Sequence, residues 1–344
     1  MFLNFKNKFT GKKIRTLIVS EIGQSHNGSL ELAKKLIDYS VAAGADAVKF
    51  QTHYASEESS NQDKFRQNNI KLKSRYAYWK KMEFTINEWK KISNYCKKKK
   101  IIFLSSPFSV KALNILLNLN IPAIKIASGE VNNQFLINEI IRSKKPIILS
   151  CGMSSAREID ELVKFFKRKK TKICLLHCSS SYPNPLENIG LKMIDYYKKK
   201  YKISVGLSDH SGNYLTGLSA ISLGASLLEV HVVKSKKNFG FDTSSSITFK
   251  ELKILTDFRN FYEKYENLKS KKKIDKKIKK MRNLFFRSLA IKYNMNKGNQ
   301  ISKNDLTLKK PGTGINYNDI KKVIGKSLKK NKNSKDLLKW SDFE

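Results

Sequence analysis

Along this chain, short β-rich apolar runs alternate with longer stretches in which apolar residues recur every three or four positions. The runs fall at 16–20, 47–50, 101–104, 123–126, 146–149, 173–176, 203–206 and 227–230. Runs of that length, rich in Val, Ile and Leu, predict strands buried on both faces. The helical period covers 30–43, 87–98, 110–119, 134–142, 156–167, 191–198 and 213–223, with an eighth helix at 248–265. Eight strand–helix units in about 250 residues predict an α/β fold, a (β/α)8 TIM barrel rather than an open doubly wound sheet.

The pattern breaks after residue 267. Residues 268–282 read LKSKKKIDKKIKKMR, a lysine run that is either a linker or a solvated helix. Beyond it, 284–291, Gly298, 300–308 and the turn-rich Pro311-Gly312-Thr313-Gly314 predict a small module of short strands and turns. The expected organisation is a barrel at 1–267, a linker at 268–283 and a second domain at 284–344.

Charge changes the picture less than its size suggests. The 344 residues carry 68 Lys+Arg against 29 Asp+Glu, a formal charge of +39. Such a balance suits nucleic acid or an anionic membrane. Here the excess is lysine in helix-face clusters, such as Lys97 to Lys100 and Lys167 to Lys170, with no zinc-finger spacing and no RNA-recognition aromatic motif. The expectation is a solvated basic surface that draws anionic substrates, with neither nucleic acid nor membrane as partner. Residues 1–15 are basic without an apolar core, and no apolar run approaches the roughly 18 residues of a membrane span. A cytoplasmic location follows. The four cysteines, Cys96, Cys151, Cys174 and Cys178, show neither a disulfide nor a metal-finger framework, so packing is their expected role.

The chemistry gathers where strands end. Past the first come Glu21, Gln24 and His26, and around the second Lys49, Gln51 and His53. Ser105 and Ser106 follow the third; Lys125, Ser128 and Glu130 mark the fourth, and Ser150 the fifth. His177, Ser179, Ser180 and Tyr182 follow the sixth, Ser208, Asp209 and His210 the seventh, and Glu229 and His231 the eighth. All 5 histidines belong to this set. Barrel strand ends converge on one face, where active sites form. Lys49 and Lys125 sit inside apolar strands, a costly placement unless each meets an anion. With the hydroxyls of Ser128, Ser150 and Ser208 they describe a phosphate or phosphate-ester site. The serines could equally cap helices. His210 and His231, one strand–helix unit apart, suit a divalent cation that polarises a carbonyl. His210 could instead act in acid–base chemistry or bond to Asp209.

These residues are familiar as a set. EIGQSHNGSLELAKKLIDYSVAAGADAVKFQTH (21–53), SSPFS (105–109), IPAIKIASGEVNN (121–133), PIILSCGMSS (146–155), LLHCSSSYPNP (175–185) and VGLSDHSG (205–212) resemble the sialic acid synthase family. FRSLAI and KGNQISKNDLTLKKPGTGI (286–315) resemble its C-terminal antifreeze-like (SAF) domain. The resemblance implies an enzyme that condenses phosphoenolpyruvate with N-acetylmannosamine, or a related N-acylated amino sugar, releasing phosphate. It implies a domain-swapped homodimer and a divalent metal, Mn²⁺ before Mg²⁺ or Co²⁺, on His210 and His231. Lys125, Ser128, Ser150 and Ser208 match phosphate-contacting positions, Ser180 is a further substrate-binding candidate beside them, and Lys49, Gln51, Ser106 and Glu130 match positions around phosphoenolpyruvate. Glu21 and Asp242 match sugar-contacting positions, with Tyr182 beside them. Glu130 is the expected group that positions or deprotonates a water, and Glu21 and Lys49 complete the expected catalytic set.

Three departures stand out. Lys310-Pro311-Gly312 replaces the family's Arg-Pro-Gly, whose arginine holds the sugar's N-acyl group; lysine keeps the charge and loses the planar fork. Ser180 stands where some members have Asn. Gly240-Phe241-Asp242 replaces Gly-Pro-Asp. Gln51-Thr52-His53, followed by Glu57-Glu58-Ser59, looks more like the neuraminate and legionaminate branch than the pseudaminate branch, so related synthases of legionaminate or pseudaminate remain the alternatives.

Overall fold

The computed structural model describes residues 16–65, 74–237, 240–265 and 274–344. Residues 1–15 and the first part of the expected linker, 268–273, lie outside the described residues. The chain divides into two units, Met1–Glu266 and Asn267–Glu344.

In the first unit the strands are β1 (Leu17–Gly23), β2 (Ala47–Thr52), β3 (Ile102–Pro107), β4 (Ile124–Ile126), β5 (Ile147–Ser150), β6 (Ile173–Cys178), β7 (Ser204–Asp209) and β8 (Leu227–Val233), with a short β9 (Ile247–Thr248) beside β8. Their order is β3-β2-β1-β8-β7-β6-β5-β4, every described ladder within it parallel, and β3 lies against β4. This is the expected eight-stranded barrel, nearly closed.

The helices are α1 (Leu30–Ala42), α2 (Ala55–Glu58), α3 (Arg75–Met82), α4 (Ile86–Lys98), α5 (Val110–Asn118), α6 (Gln134–Arg142), α7 (Ala156–Arg168), α8 (Lys192–Tyr201), α9 (Tyr214–Ser222) and α10 (Phe249–Tyr265). Many start on a side-chain cap that satisfies an orphan N–H of the first turn: Ser29, Thr85, Ser109, Asn133, Ser155 and Asn213 all accept one. The caps after β1, β3, β4, β5 and β7 end those strand-to-helix loops within about seven residues, whereas the connections after β2 and β6 are longer.

Strand side chains alternate, so each strand sends one set outward to the helices and one inward. Ile18, Val48, Phe50, Ile124, Leu149, Leu175 and Leu207 face the helices in the main core. Leu17, Val19, Ala47, Leu104, Ala123, Ile148, Cys174, Leu176 and Leu227 fill the lower barrel. The same parity then continues upward into polar residues: 19 to 21, 47 to 49, 104 to 106, 123 to 125, 148 to 150 and 227 to 229. A packed apolar plug below and a polar layer above are thus products of one register. Gly206 is the tight point of the interior, where a Cβ would stand 2.1 Å from the Leu227 carbonyl oxygen.

Buried charge fastens the last helix to the first strands. Arg259 of α10, 1% exposed, donates to Asp46 at 2.6 Å and to the Thr16 carbonyl at 2.8 Å.

Two details depart from the sequence reading. β1, β2, β3, β6, β7 and β8 run two or three residues beyond their expected ends, so Glu21, Ser105, Ser106, His177, Ser208, Asp209 and His231 lie within strands instead of following them. Two short helices, α2 and α3, occupy the β2-to-α4 connection, where the hydrophobic pattern predicts no element.

The second unit holds α11 (Lys276–Phe285), an antiparallel pair β10 (Ser288–Ile291) and β11 (Leu306–Lys309), and α12 (Ile320–Val323) around Leu289, Ile291, Ile301, Val323, Leu328, Leu338 and Phe343. The part of the expected linker within 276–283 is therefore helical. Among the described residues, no helix is long and apolar enough to cross a membrane.

Candidate active site

The polar upper layer of the barrel opens into a cavity of about 530 Å³. Of the residues expected in the site, Glu21, Lys49, Gln51, Ser106, Lys125, Ser128, Glu130, Ser150, Ser180, Tyr182, Ser208, His210, His231 and Asp242 all line it. Lys310 belongs to the second unit, where its ammonium stands 5.4 Å from the centre of the Phe285 ring.

The floor is a network of buried charges. Adjacent register places Glu21 opposite Lys49 on one side and His231 on the other. Lys49 Nζ is 2.8 Å from Glu21 and 3.7 Å from Glu229, while Lys125 Nζ is 3.3 Å from Glu229. Glu229 also accepts from the Ser208 hydroxyl at 3.0 Å, and Ser106 accepts from Lys49 at 3.4 Å. Each buried lysine therefore has a protein carboxylate. The sequence argument placed Glu229 at the same strand ends but looked for an outside anion instead of pairing it with the lysines, although a glutamate inside the apolar run LLEVH carries the same signal as they do.

The electrostatics follow from this pairing. Burial opposes ionisation of Glu229, yet Lys125 and Lys49 outweigh it and bring its pKa down to about 2. Lys49 is raised, because Glu21 and Glu229 overcome its burial. Lys125 is lowered by burial, which its single close carboxylate does not offset. Lys125 is thus the less satisfied cation of the floor. Above it, the buried Ser150 hydroxyl has no hydrogen-bond partner among the described residues. Ser128 accepts from the Gly152 N–H at 3.1 Å. An unpartnered donor beside a poorly compensated ammonium suits an anionic ligand.

The histidines form the opposite wall. Their ring centres are 5.3 Å apart. His210 Nδ1 lies 3.0 Å from the Ser179 carbonyl, which can only accept, so Nδ1 carries the proton and Nε2 the lone pair. Tyr182 OH sits 2.9 Å from that Nε2, and Asp242 lies 3.8 Å from His231 Nδ1. Burial, then the neighbouring His231, pushes the His210 pKa down to about 3, so the ring is neutral near pH 7. A neutral imidazole fixed at Nδ1 by a backbone carbonyl, its Nε2 lone pair shared here with the Tyr182 hydroxyl, is the form in which histidine binds a divalent cation. Among the described residues, no group of three or more His, Cys, Asp or Glu surrounds a common point. A cation here would rest on two histidines and take its remaining ligands from substrate and water.

Glu130 follows β4 in a single turn, Ser128–Glu130, where Asn133 donates to it at 2.9 Å. Burial raises its pKa, which favours a group that accepts and returns a proton. Gln24 and His53, collected at the strand ends but given no role, also line the cavity, and so do Glu58 and Arg75, which the sequence reading did not single out as site residues. Cys96, Cys151 and Cys174 pack in cores as expected, but Cys178 reaches the cavity, its Sγ 3.6 Å from His210 Nδ1.

A model of the NeuB family matches residues 36–271, and one of the SAF domain matches residues 286–344. The chain belongs to the NeuB family. It is 34% identical to the N,N'-diacetyllegionaminic acid synthase of Campylobacter jejuni subsp. jejuni serotype O:2, over 94% of this chain and 99% of that protein. It is 32% identical to the pseudaminic acid synthase of the same organism, over 97% of this chain and 98% of that protein. The crystal structure of N-acetylneuraminic acid synthetase from Leptospira borgpetersenii, in complex with citrate, superposes with a TM-score of 0.67 at 32% identity, covering 77% of this chain and 90% of that one. The NeuB relatives named here are synthases of nonulosonic acids that differ in their sugar.

Proposed function

We propose that this protein condenses phosphoenolpyruvate with an N-acylated amino sugar, N-acetylmannosamine in the first instance, giving a nonulosonic acid and inorganic phosphate. The observation that carries this reading is the pairing of two groups at one cavity: an under-compensated Lys125 with the open Ser150 hydroxyl, and the His210 and His231 rings 5.3 Å apart, His210 neutral.

Lys125, Ser128, Ser150, Ser180 and Ser208 would hold the phosphate, and Lys49 with Ser106 and Gln51 the carboxylate. Glu21, Asp242 and Tyr182 would orient the sugar. A divalent cation, Mn²⁺ before Mg²⁺ or Co²⁺, would be held by His210 and His231 and would supply Lewis-acid polarisation of the sugar's aldehyde. C3 of phosphoenolpyruvate attacks the aldehyde carbon, the C=O electron pair passes to the sugar oxygen, and positive charge develops at C2. Glu130 accepts a proton from the water that adds there, and one proton in turn reaches the new alkoxide, so the product carries a hydroxyl. The tetrahedral adduct then expels phosphate by C–O cleavage, its charge stabilised by Lys125.

The test is phosphate release from phosphoenolpyruvate, Mn²⁺ and a panel of acylated amino sugars, with ¹⁸O in the bridging ester position. The label should leave with phosphate; its retention in the sugar acid overturns the route, and no sugar-dependent phosphate overturns the function. A second reading, a 2,4-diacetamido-trideoxyhexose as acceptor, is favoured by the full-length similarity to a legionaminic acid synthase. The same panel separates the two. In solution a domain-swapped homodimer would bring Lys310 to the sugar site of a second copy; a monomeric mass by light scattering overturns that arrangement.

A further inference from the structure

The connection after β2 carries a buried pair that the reaction above does not use. His53 is 2% exposed and lies between Trp79 and Phe108, with ring centres 4.0 and 4.2 Å away and planes inclined by 20° and 21°. Its Nδ1 is 2.9 Å from Glu58 Oε2, and its Nε2 is 3.2 Å from Gln51 Oε1.

The directions of these hydrogen bonds are forced from the cavity outward. Glu21 Oε1 can only accept, so Gln51 turns its amide nitrogen to it at 3.0 Å. The Gln51 oxygen then faces Gln24 Nε2 at 2.9 Å and His53 Nε2 at 3.2 Å. Only a protonated Nε2 can approach that oxygen. Flipping the amide would set its NH₂ against that of Gln24 and its oxygen against the Glu21 carboxylate. Nδ1 is left to Glu58, whose Oε1 already accepts the Tyr54 N–H at 2.9 Å. Burial pushes Glu58 up to about 8 and, with Arg75 next in effect, His53 down to about 3. At neutral pH the pair is then a carboxylic acid donating to a neutral imidazole. The whole run, Glu58 to His53 to Gln51 to Glu21, donates in one direction and ends on the carboxylate that also holds Lys49 at 2.8 Å.

We propose that His53 and Glu58 form a positioning unit that locks the Gln51 amide and, through it, sets how Glu21 is presented to the sugar. The proposal rests on the reading of the site given above. It assigns no proton transfer to either residue.

The test uses the full chain. His53→Phe keeps the stack between Trp79 and Phe108 and removes both hydrogen bonds. Glu58→Leu removes the partner of Nδ1, whereas Glu58→Gln preserves it, the amide donating to Nδ1 and its carbonyl accepting from Tyr54. With thermal stability checked for each, His53→Phe and Glu58→Leu should raise KM for the amino sugar about tenfold, the scale of one hydrogen bond to a charged group, and raise KM for phosphoenolpyruvate, whose carboxylate Gln51 would share with Lys49 and Ser106, by only about threefold. Glu58→Gln should stay within about twofold of wild type on both. Independently of turnover, ¹⁵N-histidine spectra at pH 7 should show His53 protonated at Nε2 alone, its signals assigned by their loss in His53→Phe. Protonation at Nδ1, or at both nitrogens, overturns the proposal. So does a Glu58→Gln variant as impaired as Glu58→Leu, or unchanged sugar KM in His53→Phe. If the wild type turns over none of the sugars, the function fails while the spectra still decide the hydrogen-bond order.

Discussion

Replacing Lys125 with methionine tests whether charge pairing holds the cavity floor together. Lys125 Nζ is 3.3 Å from Glu229 Oε1, and Lys49 Nζ is 3.7 Å from the same oxygen. At an effective dielectric of about 20, a unit pair at such a separation attracts by about 5 kcal/mol. Desolvation of two ions buried this deeply takes most of that back. Methionine fills the volume of the lysine stem, so the substitution strands Glu229 without opening a large void. Losing one partner of a buried pair costs about 3–5 kcal/mol. Because Lys49 and the Ser208 hydroxyl remain on Glu229, we expect a loss of about 2–3 kcal/mol. Adding Glu229→Gln removes the stranded charge and leaves Lys49 paired with Glu21 at 2.8 Å. The double variant should therefore return to within about 1 kcal/mol of wild type, while activity stays lost. Urea unfolding at pH 7, followed by the fluorescence of the buried Trp79 and Trp89, reports the barrel. A double variant whose loss equals the sum of the two single losses would refute the coupling.

Other outcomes can be checked in the same preparations. Chelation should abolish phosphate release and Mn²⁺ should restore it, with His210→Ala and His231→Ala beyond rescue; turnover indifferent to the chelator removes the cation from the reading. Arg259→Leu should cost about 3 kcal/mol by stranding Asp46, with both KM values unchanged. Gly206→Ala should cost roughly 3 kcal/mol or more, because its Cβ would meet the Leu227 carbonyl oxygen at 2.1 Å; wild-type stability would contradict the barrel interior described here. His26 titrates near 3 chiefly because it is buried. Its contribution is complete above about 6.5, the unfolded value, and is lost as pH falls toward 3, at about 1.4 kcal/mol per unit. His26→Asn, which keeps an acceptor for the Gly28 N–H that His26 now binds at 3.0 Å, should flatten the stability profile between pH 6 and 4; an unchanged slope refutes the assignment.

Much of the site was readable because it follows parity. Once the strands are placed, residues 21, 49, 51, 106, 125, 150, 208, 229 and 231 fall on one side by alternation, and the expected set needed little more. The strand ends were read short for a related reason. The expected runs close where apolar residues give out, near 20, 50, 104, 206 and 230, but in this barrel the ladder continues through the polar cavity lining, with Glu21 paired to Lys49 and to His231. Helix α3, RYAYWKKM, escaped notice because its buried residues, Tyr78, Trp79 and Met82, find partners only in the folded chain, where Trp79 stacks on His53.

The sequence by itself determined the barrel, the second domain and the kinds of side chain at the cavity, since periods of two and about 3.6 residues are local properties of a chain. Which carboxylate serves which lysine, and which tautomer each histidine takes, was decided by barrel closure. Glu229 reaches Lys125 and Lys49 from strands remote in sequence, and the Gln51 amide is oriented by Glu21, Gln24 and His53 together. Such contacts depend on register across the closed sheet and on sub-ångström differences in separation. No local pattern of residues encodes either.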